Sequence, residues 1–201
     1  PDEILNDASV TQVTFSDIQG GYSGEGNINE DPLFRDENGF DFHIFWNSPC
    51  IDIGDNAAPQ LFWGDFEGDE RPMDGDGDGT VVVDIGADEI RYYPLVEVEI
   101  DIKPTSSSNV INLDSKSTLA VAILTTPGFE AYTVNPATVV FADAEVVRSL
   151  MQDVDQDGDL DLLLYFKIQD LDLDESSTEA TLLGVTYNWT PIQGTDRVKI
   201  R

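Results

Sequence analysis

The chain has 201 residues, 40 of them acidic against 10 basic, for a formal net charge of −30. That balance leaves no basic footprint for DNA, RNA or anionic lipid, and it would repel an acidic polysaccharide unless a cation bridged the two. A hydrophobic content of 40% argues for a packed core, and no apolar run approaches the roughly eighteen residues needed to cross a membrane.

Length allows one large or two modest domains. Cys50 is the only cysteine, so no internal disulfide forms and another staple is needed. The chain opens at Pro1 without a leader pattern, which reads as a mature form or a piece of a longer protein.

Helix signals are nearly absent, and short β-rich segments are bounded by Gly, Asn, Asp or Pro, so the expected fold class is all-β. In chain order the first strands are expected at 10–15, 42–45, 50–53 and 81–85. Longer ones follow at 96–102, 118–124, 138–141, 160–168, 180–187 and 197–200, while 144–151 fits a strand or a helical turn. The texture changes at Tyr92-Tyr93-Pro94, which places a domain boundary at about residue 94. Beyond it, alternation puts Val96, Val98, Ile100 and Ile102 on one face. Leu160 through Phe166 is apolar apart from Asp161, as in a central strand buried on both faces. Several strands in about a hundred residues imply a β-sandwich over 95–201.

Two acidic stretches carry the chemistry. In the run Asp153 to Asp161, Asp153, Asp155 and Asp157 occupy positions 1, 3 and 5 of a cation-binding loop. Gly158 permits the sharp turn, Asp159 offers its backbone carbonyl and Asp161 fills position 9. Position 12 is Leu164 rather than a bidentate Glu, so the loop is not an EF-hand and runs directly into a strand. In the earlier run, Asp74, Asp76 and Asp78 are the expected ligands, with the Thr80 carbonyl as a fourth. Asp84 and Glu89 are the nearest candidates to close that site. Ca²⁺ is the expected cofactor, at two sites; solvated acidic turns are the alternative. Asp170 to Glu175 lacks the glycine and reads as a solvated strand edge or loop rather than a third site, and Asp65 to Glu70 could add outer ligands to the first site, although its spacing does not demand this.

In the first half, several phrases resemble the C-terminal end of secreted bacterial parallel β-helix surface proteins of the choice-of-anchor type. They are 13–21, Asn27-Ile28-Asn29-Glu30-Asp31-Pro32-Leu33-Phe34, Ser48-Pro49-Cys50-Ile51-Asp52-Ile53-Gly54 and Val83-Asp84-Ile85-Gly86-Ala87-Asp88-Glu89. Cys50 stands where a small apolar residue is usual. The second half resembles a module appended to secreted bacterial proteins, through Ile100-Asp101-Ile102-Lys103-Pro104, Val110-Ile111-Asn112-Leu113, 119–124 and the 153–161 loop. Thr105 departs from the glycine that often follows the Lys-Pro pair. These resemblances imply a terminal parallel β-helix coil or cap over 1–93, then a calcium-binding, immunoglobulin-like β-sandwich without enzyme activity. They also imply an extracellular or cell-surface location. An open coil edge invites pairing with a second copy, and head-to-tail contacts that do not close build filaments.

No catalytic constellation is legible. His43 is the only histidine, no Gly-x-Ser-x-Gly elbow accompanies it, and it reads as a strand residue. The expected function is a non-enzymatic, calcium-stabilised structural protein that self-associates. The alternative is an accessory region of a longer β-helix adhesin or polysaccharide-active enzyme, with Trp46, Trp63 or Trp189 stacking on carbohydrate.

Overall fold

The computed structural model describes residues 12–36, 39–59, 61–104, 106 and 108–201, and they fall into two compact units that divide between Tyr93 and Pro94. The fold is all-β: twelve strands and three single-turn 3₁₀ helices are present among the described residues. No helix there is long and apolar enough to cross a membrane.

The first unit has little regular structure. Strands β1 (Phe34–Asp36) and β2 (Asp41–Ile44) form an antiparallel hairpin. Elsewhere among the described residues of this unit only isolated bridges occur, including a parallel one between Asp17 and Ile28. A stack of parallel coils is not seen among the described residues. The expected strand at 50–53 is a turn, 81–85 contributes one bridge at Val82, and 12–15 is irregular, with 10 and 11 outside the described residues. Short polar side chains explain this, because they accept backbone N–H groups that a ladder would otherwise use. Asp65 Oδ1 alone takes the N–H groups of Glu67, Gly68 and Asp69 at 2.8–2.9 Å. A small apolar cluster of Ile44, Cys50, Ile51, Ile85 and Ile90, with Ile28, Phe34 and Trp46 against it, holds the unit together.

The second unit is a curled mixed sheet. Its strands are β3 (Val96–Glu97), β4 (Ile100–Ile102), β5 (Val110–Ile111), β6 (Thr118–Ile123), β7 (Val140–Phe141), β8 (Ala144–Gln152), β9 (Asp161–Lys167), β10 (Glu179–Val185), β11 (Pro191–Arg197) and β12 (Lys199–Ile200). Eight of them pair in the order β3-β11-β10-β7-β8-β9-β6-β4, and β12 pairs with β5 alone. The two ends of that order, β3 and β4, are halves of one extended run. Val98 N bonds to Gln193 O of β11, and Leu124 N bonds to Glu99 O, so the run ties both ends of the sheet. Gly194 makes this closure possible: a Cβ there would lie 2.5 Å from Ile100 Cγ2 and 2.9 Å from Val98 O. Strand β8 helps the curl with a register shift between Val146 and Arg148 as it passes from β7 to β9. The wrapped layers are compatible with a β-sandwich.

Strand β9 is the expected central strand. It pairs with β6 on one side and β8 on the other, and Leu162, Leu163, Leu164 and Phe166 are all buried. The core they share includes Ile102, Ile111, Val121, Ile123, Val139, Phe141, Leu182 and Ile192.

Candidate metal centres

Each acidic turn gathers carboxylates by the same device. In the second unit, Asp153 Oδ1 accepts Gln156 N at 2.7 Å, Asp155 Oδ1 accepts Asp157 N at 3.2 Å, and Asp157 Oδ1 accepts Asp159 N at 3.1 Å. An aspartate at every second residue therefore curls the chain towards its own side chain. Gln156 and Gly158 both take positive φ, 68° and 105°, and glycine adopts that region at least cost.

Asp161 closes the loop from the first position of β9 and is fully buried. Its Oδ2 accepts Val154 N and its Oδ1 accepts Thr125 N, both at 2.9 Å. Thr125 also donates its hydroxyl to Leu160 O at 2.8 Å. Carboxylate oxygens of Asp153, Asp155 and Asp161 converge, all within 4.8 Å of one another. Calcium–oxygen bonds of about 2.3–2.6 Å put opposed ligands about 5 Å apart, so these three oxygens match the span of one ion.

The remaining acids of this loop crowd the same space. Asp155 titrates above the ordinary aspartate range, first through lost hydration and then through the charges of Asp157 and Asp161. Asp159 is raised for the same reasons, with Asp157 its main repulsive neighbour. Asp159 Oδ1 is sealed from solvent and lacks a hydrogen-bond partner, although the rest of the side chain reaches the surface. Asp159 is not part of the converging set. Asp101 on β4 is raised by burial and then by Asp196 and Asp155, which brings another carboxylate to the loop's neighbourhood.

In the first unit the turn is built alike, but the closing residue is different. Asp74 accepts Gly77 N at 2.7 Å and Gly79 N at 3.0 Å; Asp76 accepts Asp78 N and Asp78 accepts Thr80 N. The converging set is Asp74, Asp76 and Asp52. Asp52 Oδ2 accepts Gly75 N at 2.9 Å and Asp76 N at 2.8 Å, while its Oδ1 is sealed from solvent and unpartnered. Asp78 and Thr80 continue the exposed turn outside this set.

Asp84 and Glu89, the expected closing ligands, stand one layer behind. Asp84 is buried and accepts Asp52 N and Ile90 N, both at 2.8 Å. Burial pushes its carboxyl up to about 7, against the pull of those two N–H groups. Glu89, also buried, accepts Met73 N at 2.7 Å and Asp84 N at 3.1 Å and pairs with Arg71 Nε at 3.0 Å. Arg71 to Glu89, Glu89 to the Asp84 backbone, and Asp84 to the Asp52 backbone form a relay that fixes Asp52 beneath the turn. Asp52 carried no spacing signal, because it lies 22 residues before Asp74 on a separate turn.

Chemically, two all-oxygen groups of three carboxylates suit a hard divalent cation. An oxygen shut from both water and donors is costly while charged, and a cation removes that cost. The residues at both turns could therefore hold a hard divalent cation.

No protein-family model, curated protein or solved structure matches the chain.

Proposed function

We propose that this protein is a non-catalytic structural module of the cell exterior whose two units are stapled by Ca²⁺. The observation that carries the reading is the convergence of three carboxylates at each aspartate–glycine turn, their oxygens within 4.8 Å of one another, with Asp52 Oδ1 sealed and unpartnered in the first. Asp52, Asp74 and Asp76 would hold one ion, and Asp153, Asp155 and Asp161 the other. Bound calcium supplies charge neutralisation, and it draws distant segments onto one centre. Extracellular calcium fills even weak sites, on the order of 10⁻⁴ to 10⁻³ M, which is where such sites are useful.

The sequence phrases support reading 1–93 as the closing coil of a parallel β-helix and 95–201 as an immunoglobulin-like sandwich. The parallel bridge between Asp17 and Ile28 is consistent with the first. Self-association, head to tail, is the proposed use of the scaffold. An open groove of about 970 Å³ lined by Phe34, Phe42, Ile44 and Ile85, with Phe40 and Phe42 exposed, supports it.

Calorimetric titration of metal-stripped protein with Ca²⁺ tests the metal reading. Two sites are expected, with Asp52→Asn removing one and Asp155→Asn the other; no binding heat at millimolar Ca²⁺ rejects it. Negative-stain microscopy with and without Ca²⁺ tests the assembly: filaments support it and monodisperse particles oppose it. A second reading, an accessory carbohydrate-binding region, is favoured by one observation. Trp63 and Phe62 are about three-quarters exposed and adjacent, as a sugar-stacking platform would be.

A further inference from the structure

A third cluster lies in the first unit, and it differs in kind from the two calcium turns. His43 on β2 sits between carboxylates on both ring nitrogens. Nδ1 pairs with Asp41 and Nε2 lies 2.7 Å from Glu67 Oε2. A third carboxylate, from buried Asp88, shares this space, and the His43, Glu67 and Asp88 donor atoms lie within 4.8 Å of one another.

Each of the three is held from a different part of the chain. Asp88 Oδ2 accepts Ile44 N at 2.8 Å, which anchors it to the residue after His43. Glu67 sits in the tight turn organised by Asp65, and Phe66 N bonds to Ala87 O at 3.1 Å next to Asp88. The Phe66 ring packs on the imidazole, centroids 4.9 Å apart, and shields one face.

The electrostatics require a positive charge at Nε2. With Nδ1–H given to Asp41, a neutral imidazole turns its lone pair on the Glu67 carboxylate, which is repulsive. A proton relieves that contact, joining Nε2 to Glu67, but serves only two of the three donors. A divalent ion serves all three, and Asp41 then acts as the outer carboxylate that orients a metal-bound histidine. The nitrogen donor distinguishes this cluster from the all-oxygen turns, because imidazole favours Zn²⁺ and its late first-row neighbours over Ca²⁺.

We propose that His43, Glu67 and Asp88 form a site for a late first-row divalent cation, Zn²⁺ by class, with water completing the coordination. Binding displaces the Nε2 proton to solvent. Arg35 lies in the same field and lowers the net negative charge that the ion sees.

The test is calorimetry of the whole chain with Zn²⁺ in excess Ca²⁺, alongside NMR of the lone histidine. One equivalent of Zn²⁺ and a shifted imidazole spectrum are expected. His43→Gln should abolish this binding and leave the calcium isotherm unchanged. Glu67→Gln, at the surface, serves if the first variant fails to fold and should weaken Zn²⁺ tenfold or more. Asp41→Asn should weaken it about 10–100-fold. Unshifted imidazole resonances, or equal Zn²⁺ uptake by His43→Gln, overturn the proposal. Either result leaves the calcium reading standing, because no nitrogen enters those turns.

Discussion

At Asp52 the backbone takes a positive φ of 54°, a conformation that side chains other than glycine adopt at some cost. Asp84 holds it there through Asp52 N, and the Asp52 carboxylate in turn holds Gly75 and Asp76. Replacing Asp84 with Ala leaves two inward-facing N–H groups without their acceptor. A loss of about 2–6 kcal/mol is expected in urea unfolding, since each of the two orphaned donors costs about 1–3 kcal/mol. The pH dependence follows from the same residues. Asp84 titrates near 7 in the folded chain, and Asp52, Asp88 and Glu89 are also raised by burial. A carboxyl raised on folding stabilises the fold below its unfolded pKa of about 4 and loses that contribution as pH climbs through the folded value. His43, raised as well, acts in the same direction. In EDTA the melting temperature should therefore fall between about pH 4 and pH 8, and millimolar Ca²⁺ should flatten or reverse the slope. At this scale the sequence disclosed the carboxylates on alternate positions of each loop, because that pattern is local. It hid Asp52 and the supporting roles of Asp84 and Glu89, which depend on contacts between separate turns, such as Asp52 with Asp84 across 32 residues of chain.

Strand β9 and the loop before it form the element on which the second unit turns. Apolar residues at 162, 163, 164 and 166 leave no polar face, and that composition made a doubly covered strand legible. Leu164→Ala, at a fully buried position, should cost about 2–5 kcal/mol by chemical denaturation. The loop's contribution is separable from this packing. Gly158→Ala forces a Cβ into φ 105° with open space around it, so the penalty is backbone strain alone. About 1 kcal/mol is expected in EDTA, together with weaker Ca²⁺ binding at that turn. Strand β11 was not legible: Pro191, Gly194 and a run of polar residues obscure its alternation. Its full register against β10, from Glu179 with Arg197 to Val185 with Pro191, is set by tertiary pairing. The missing strands of the first unit have the opposite cause. Apolar pairs such as those at 50–53 read as extended, yet Ser48 and Asp84 draw their N–H groups into turns.

Across the whole molecule, stability rests on unequal foundations. The second unit has a continuous apolar core, whereas the first relies on a handful of apolar residues and three buried carboxylates, Asp84, Asp88 and Glu89. If Ca²⁺ binds only the folded form, as proposed, saturation at a hundredfold over the dissociation constant adds about 2.7 kcal/mol per site. A marked rise in melting temperature with Ca²⁺ is expected, and chelation should expose the first unit to protease before the second. Cys50 offers a direct gauge of that difference. Its thiol is 1% exposed and burial pushes its pKa up to about 11, so an alkylating reagent meets neither access nor thiolate in the closed form. Modification must wait for the surrounding residues to part, and the labelling rate becomes a clock for those excursions. Occupied aspartate turns should slow that clock, turning one silent sulfur atom into a reporter of how firmly the cation grips.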